Sequence, residues 1–166
     1  MALLNKNDLA CYIIEKYKEE YKKEISPIKL QKSLYFLFAM WGGKIADAKR
    51  EGNEDTEDDE TYSKYDKYLF DASFEAWRYG PVDREIYDKF KSGDLKCSNT
   101  YDSMFNSPDL EFVKAYIDDI LTKIFNTNDF SLVDLTHEDR CWKDAISIRV
   151  NTMIPKDNII RDYQSI

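Results

Sequence analysis

The stretch Leu69-Phe-Asp-Ala-Ser-Phe-Glu-Ala-Trp-Arg-Tyr-Gly-Pro-Val82 constrains this chain more than any other. It gathers Phe70, Phe74, Trp77 and Tyr79 into a short run, then turns at Gly80-Pro81 toward Ile86, Tyr87 and Phe90. A cluster this aromatic that ends on a defined turn reads as a fold signature, not as a catalytic motif. Alternation predicts a strand over 74–79 with Trp77 and Tyr79 on one face and Phe74 and Ala76 on the other. Gly80 frees the turn, and Pro81 is placed to start a helix carrying Val82, Ile86, Tyr87 and Phe90.

Most of the remaining chain reads as helix. Leu9, Ile13, Tyr17 and Tyr21 recur every four positions and mark one helical face. Ser26-Pro27 opens a second helix, with a capping serine and proline at its first position. Its apolar positions Leu30, Leu34, Leu37, Phe38, Trp41 and Ile45 form a wide stripe, which places this helix at the centre of the core. Residues 92–107 read as a loop. Ser107-Pro108 then repeats the helix start ahead of Leu110, Val113, Ile117, Ile120, Leu121 and Ile124. Shorter helices are expected over 131–137, 138–146 and 155–163. The predicted fold is mainly α (α+β), a compact helical domain over 1–166 with a small β-sheet or hairpin. A chain of 166 residues buries roughly two-thirds of its unfolded surface, so its core needs no disulfide or metal.

Charge is distributed unevenly. The formal net charge is −8, and residues 51–60 hold seven carboxylates and no base. The rest is therefore near −1, since −8 minus −7 leaves −1. Such an acidic, low-hydropathy run predicts a mobile loop over 51–66. A nearly neutral body lacks the clustered Lys and Arg that displace phosphate counterions, so no direct nucleic-acid binding is expected. Cys11, Cys97 and Cys141 are odd in number and contain no Cys-x-x-Cys pair, which fits a reducing cytoplasm better than a disulfide scaffold. No apolar stretch approaches the roughly 20 residues of a spanning helix, and the start lacks a signal-peptide core. The expectation is a soluble cytoplasmic protein with no membrane partner.

Three separated blocks together resemble the Panacea domain family, the SocA-like antitoxins and phage-associated GepA-type proteins. The first is Ile25-Ser-Pro-Ile-Lys-Leu-Gln-Lys-Ser-Leu-Tyr-Phe36, with Leu30, Leu34 and Tyr35 as its signature positions. The second is Phe74-Glu-Ala-Trp-Arg-Tyr-Gly-Pro-Val82, centred on Trp77, Gly80 and Pro81. The third is Leu132-Val-Asp-Leu-Thr-His137 with Trp142 and Ala145. Their order and spacing match from about residue 8 to residue 163. The resemblance implies an antitoxin of bacterial toxin–antitoxin loci, mobile elements or phages that neutralises a cognate toxin by direct protein contact. It also implies, for one branch, an adaptor that delivers the toxin to a protease. It carries no enzyme activity and no cofactor. Ser33 departs from the pattern where an aliphatic residue is expected, and the acidic 51–60 run is an elaboration of this chain.

Candidate chemistry is sparse. His137 is the only histidine, and Cys141 four residues on allows a Cys–His nucleophilic pair or two metal ligands, with Asp134 placed to orient the ring. The competing reading, which we prefer, has His137 ending a helix and packing beside Trp142, because no oxyanion feature or further ligands accompany it. Trp77, Arg78 and Tyr79 allow a ligand or stacking platform, but an aromatic strand entering a tight turn is more often core, and that is the reading we prefer. Arg78 then has to reach water or a carboxylate, and Glu75 and Asp83 are near in sequence. Lys29 and Lys32 lie three apart on the second helix, read either as a solvated face or as a contact patch for an acidic partner. Partner binding is therefore assigned to Lys29, Lys32, Arg78 and Tyr79. The acidic run is a solubilising insertion or, in a phage anti-defence inhibitor, a mimic of nucleic-acid phosphate.

Overall fold

The computed structural model describes residues 2–50, 61–97 and 103–165. The first helix, α1 (Lys6–Tyr21), is capped by the Asn5 side chain, which accepts the Asp8 N–H at 3.1 Å. It ends where Lys22 turns left-handed and returns its N–H to the Lys18 carbonyl. Helix α2 (Pro27–Arg50) begins as expected, with Ser26 Oγ accepting the Lys29 N–H at 3.0 Å. Leu30, Leu34, Leu37, Phe38, Trp41 and Ile45 are fully buried along it.

The aromatic run forms a hairpin of β1 (Phe74–Trp77) and β2 (Gly80–Asp83), followed by α3 (Arg84–Ser92). Next come α4 (Pro108–Phe125), α5 (Asp129–His137), α6 (Arg140–Ile148), the short strand β3 (Thr152–Met153) and α7 (Lys156–Asp162). The antiparallel sheet has the order β2-β1-β3, with Trp77 opposite Gly80 and Ala76 opposite Thr152. Helix α2 is the hub, packing against α1, α3, α4, α5, α7 and β2. Its approach to α7 requires Gly42, where an added Cβ would lie 2.5 Å from Ile160 Cγ1.

Three expectations are corrected, and one lies partly outside the described residues. Pro81 does not start a helix; it lies in β2 opposite Ala76, and α3 begins at Arg84 behind the capping carboxylate of Asp83. Buried cross-strand pairing outweighs proline's helix-start preference here, and β2 is an edge strand of the sheet, where a residue without an N–H is tolerated. The strand read over 74–79 stops at Trp77, so Arg78 and Tyr79 form the turn. Neither has a positive φ; Gly80 supplies it at 101°. The acidic residues 51–60 lie outside the described residues, but 61–66 pack on the body, with Tyr65 only 6% exposed beside Trp41. Finally, Cys11 and Cys97 form a disulfide with their Cα atoms 5.3 Å apart, whereas Cys141 is free and buried. A separation of 86 residues hid that pairing from any reading of spacing. No helix among the described residues is long and apolar enough to cross a membrane.

Candidate functional site

Segments far apart in the sequence meet on the Arg78-Tyr79 turn. From α5, His137 Nε2 lies 2.9 Å from the Arg78 carbonyl oxygen. A carbonyl only accepts, so the ring donates through Nε2–H. At the start of α6, Trp142 Nε1–H donates to the Trp77 carbonyl at 2.9 Å. The two rings are stacked with centroids 4.1 Å apart, so one aromatic pair fixes two successive turn carbonyls.

Helix α2 holds the other strand. Lys32 Nζ donates to the Pro81 carbonyl at 3.0 Å. Gln31 pairs in both directions with Asp83, donating from Nε2 to its carbonyl at 3.2 Å and accepting its N–H at Oε1 at 2.8 Å. The buried Asp83 carboxylate receives Lys6 Nζ at 3.0 Å and the Ile86 and Ser73 amides at 3.2 and 3.3 Å. A charge this deep is tolerated because several donors satisfy it.

Phe74 and Ala76 are buried on one face of β1 while Trp77 on the other is only half-buried and Tyr79 is exposed, so the preferred core role for this run does not hold for Tyr79. The Trp77 ring meets Tyr87 edge-on at 4.9 Å and carries the Arg84 guanidinium 4.9 Å above it. Glu75 receives Trp77 Nε1–H at 3.0 Å and pairs with Arg84 at 2.9 Å. Arg84 pulls the Glu75 carboxyl below its ordinary value, against the opposing effect of burial, which is the larger single influence.

Both carboxylates near Arg78 in sequence are thus engaged elsewhere, Glu75 by Arg84 and Asp83 by Lys6. The Arg78 guanidinium has no ion pair among the described residues and is exposed. Tyr79 beside it is 61% exposed. The exposed apolar residues Ile148, Val150 and Met153 lie in and around the α6–β3 connection, which hydrogen-bonds to β1 from Asn151 N–H to the Ala76 carbonyl at 2.8 Å.

Next to the turn is a cavity of about 400 Å³. Pro27, Ile28, Gln31 and Lys32 of α2 line one side, and Trp77, Arg78, Tyr79 and Val82 of the hairpin line another. Tyr87, Val150 and Asn151 complete it, so the lining contains two cations and no carboxylate. Lys32 is 1% exposed, and burial lowers its amine to about 7.

The lysines expected on a solvated or contact face are therefore both inside. Lys29 is 8% exposed and held by Asp129 at 3.4 Å and the Phe125 carbonyl at 3.3 Å. Lys32 lines the cavity with Arg78 and Tyr79, and Lys29 does not. The carbonyls of Phe125 and Pro81 draw each lysine inward, and a long aliphatic stem can cross the apolar stripe to reach them.

His137 and Cys141 sit on different helices and are committed to different partners. Cys141 lies against Tyr35 Oη at 3.4 Å, and burial pushes its thiol up to about 12, the reverse of what a nucleophile requires. Tyr35 and Tyr163 both donate to Asp139 Oδ2, at 2.6 and 2.8 Å. Burial nevertheless holds the Asp139 carboxyl above its ordinary value. Among the described residues no group of three or more His, Cys, Asp or Glu could hold a metal ion.

Sequence reasoning missed Gln31, Tyr87, Val150 and Asn151 as cavity residues. Gln31 left one legible signal, an amide inside the apolar stripe of α2. The others become neighbours only through the tertiary fold.

A mainly helical body that clamps a short aromatic hairpin by its turn carbonyls and holds the turn residues outward defines the class. The family described as antitoxin SocA-like, Panacea domain, matches residues 57–143, just over half of the chain, and the protein belongs to that family. The match contains the hairpin, His137 and Trp142; the α2 block lies outside it. No curated protein and no solved structure matches the chain.

Proposed function

We propose that this protein is an antitoxin that neutralises a cognate toxin by direct contact through the Arg78-Tyr79 turn and the apolar residues beside it. The observation that carries this reading is the rigid presentation of two unspent side chains. His137, Trp142 and Lys32 fix the hairpin backbone, while Tyr79 is 61% exposed and Arg78 has no ion pair among the described residues. Preorganised Tyr and Arg side chains are the types that anchor protein interfaces at low entropic loss. The reading places the protein in the cytoplasm of a bacterium or phage-infected host, with blocking of the toxin as its action and delivery to a protease as an elaboration of the same contact.

Co-expression with the products of adjacent genes tests it. One neighbour is expected to be toxic alone and harmless with this protein. Rescue should fail for a Tyr79→Ala, Arg78→Glu double variant whose helical circular dichroism is unchanged. The reading fails if no neighbour is both toxic and rescued. A toxin level that falls during rescue, and recovers in a protease-deficient host, separates delivery from blocking.

A further inference from the structure

We propose that the cavity beside the hairpin turn receives an acidic–apolar segment of the partner, one bulky aliphatic or aromatic side chain with a carboxylate next to it. This rests on the antitoxin reading and names the chemistry its partner must bring.

The chain is strongly acidic, and many of its cations have acidic neighbours: Lys6 with Asp83, Arg84 with Glu75, Lys29 with Asp129, Lys114 with Asp118. Lys32 and Arg78 have no ion pair among the described residues, and they line the same cavity, whose lining holds no carboxylate. Lys32 is 1% exposed and makes one hydrogen bond, to the Pro81 carbonyl, although an ammonium offers three donors. The Thr136 hydroxyl and Lys32 Nζ both approach Gly80, and Gln31, Tyr79 and Tyr87 share the cavity lining with Lys32. None is acidic. A buried amine with spare donors and no counter-ion is unfavourable in the free protein, and an entering carboxylate removes that penalty. Near neutral pH the amine stands at its midpoint, and an anion beside it favours the charged form.

The remaining lining fixes the second half of the occupant. Pro27, Ile28, Trp77, Val82, Tyr87 and Val150 present rings and methyl groups. A phosphate or free carboxylate would leave this apolar wall unused. An aliphatic side chain alone would leave the two cations unpaired. The volume accommodates one large side chain and its charged neighbour.

The test titrates the intact protein with acetyl-Glu-Leu-Asp-amide and its neutral isostere acetyl-Gln-Leu-Asn-amide to millimolar concentration, followed by backbone amide resonances. The acidic peptide is expected to shift Ile28, Lys32, Val82 and Val150 and to bind at least about tenfold more tightly than the isostere. Lys32→Met and Arg78→Gln should each lower that affinity by about tenfold while leaving the other resonances in place. Equal affinity for both peptides, shifts elsewhere, or no shift at all overturns the proposal. If toxin rescue succeeds while the peptides bind without regard to charge, the antitoxin reading stands and this inference falls. If the acidic peptide binds at these residues and no neighbouring toxin exists, the outcome is reversed.

Discussion

His137 Nε2 lies 2.9 Å from the Arg78 carbonyl oxygen, so the only imidazole in the chain clamps a turn 59 residues away. The stacked Trp142 ring clamps the preceding carbonyl of Trp77 in the same way. His137→Ala removes one hydrogen bond and one ring contact, an expected loss of about 2 kcal/mol. Urea denaturation measures it. Partner affinity should fall further than stability accounts for, because the freed turn loses its preorganisation. A variant with unchanged stability and unchanged rescue would remove this clamp from the account.

Gly80 combines a φ of 101° with a crowded site. A Cβ there would collide with Thr136 Oγ1 and lie 3.0 Å from Lys32 Cε. Gly80→Ala should therefore cost about 3 kcal/mol, backbone strain and steric displacement together. Gly93 is the control, since its φ is 78° but nothing lies within 4 Å of the added methyl. Gly93→Ala should cost about 1 kcal/mol. Equal losses in thermal melts would show that space at Gly80 contributes nothing.

Local patterns made the helices legible. The Ser-Pro starts of α2 and α4 stand where the sequence placed them, with Ser26 and Ser107 side chains capping. The clean stripe of α4 buries Val113, Ile117, Ile120, Leu121 and Ile124. Three features were not legible. Pro81 carried a helix-start signal that cross-strand pairing with Ala76 overrides. Lys29 and Lys32 looked solvent-facing because charge alone does not reveal an internal carbonyl at the end of an aliphatic stem. Which of water or a carboxylate Arg78 reaches was not legible, because Arg84 takes Glu75 and Lys6, distant in sequence, takes Asp83, leaving Arg78 exposed to solvent. Periodicity reports which face is buried, whereas polar pairing across a core depends on the finished fold.

Lys32 gives a pH dependence whose sign is fixed. Burial lowers its amine from 10.5 to about 7 in the native state. Between those values the unfolded chain holds the proton and the native protein does not, so stability rises with pH from about 7 toward 10. Below that window both states are protonated and the burial penalty is at its full value. Lys32→Met should abolish the slope and raise stability near pH 7 by on the order of 2 kcal/mol, after loss of the bond to the Pro81 carbonyl. Chemical denaturation across the window checks both. A slope retained in the variant would assign it to another group.

Ser33 stands within the buried stripe of α2, where an aliphatic residue is expected. Its side chain is fully buried, and Oγ has no hydrogen-bond partner among the described residues. Ser33→Ala removes an unpaired hydroxyl without adding volume, so stability should increase by about 1 kcal/mol. A loss of similar size in a denaturant titration would mean that the hydroxyl is satisfied in solution, by water or by a backbone group.

The Cys11–Cys97 bond ties α1 to the segment after α3 and closes 86 residues of chain. Loop-closure entropy of that length amounts to about 4.6 kcal/mol, with the typical measured gain between about 2 and 4. Cys97 is the residue to substitute, because it is exposed while Cys11 is buried. Cys97→Ser should match the wild type treated with a reducing agent, both melting well below the oxidised protein. Thiol titration of the unfolded, unreduced chain should find one reactive group, Cys141. Three reactive thiols would show an open bond. Because Cys97 is an exposed residue, a reducing environment would open this link by thiol exchange, and the stability of the protein would follow the redox state of its surroundings.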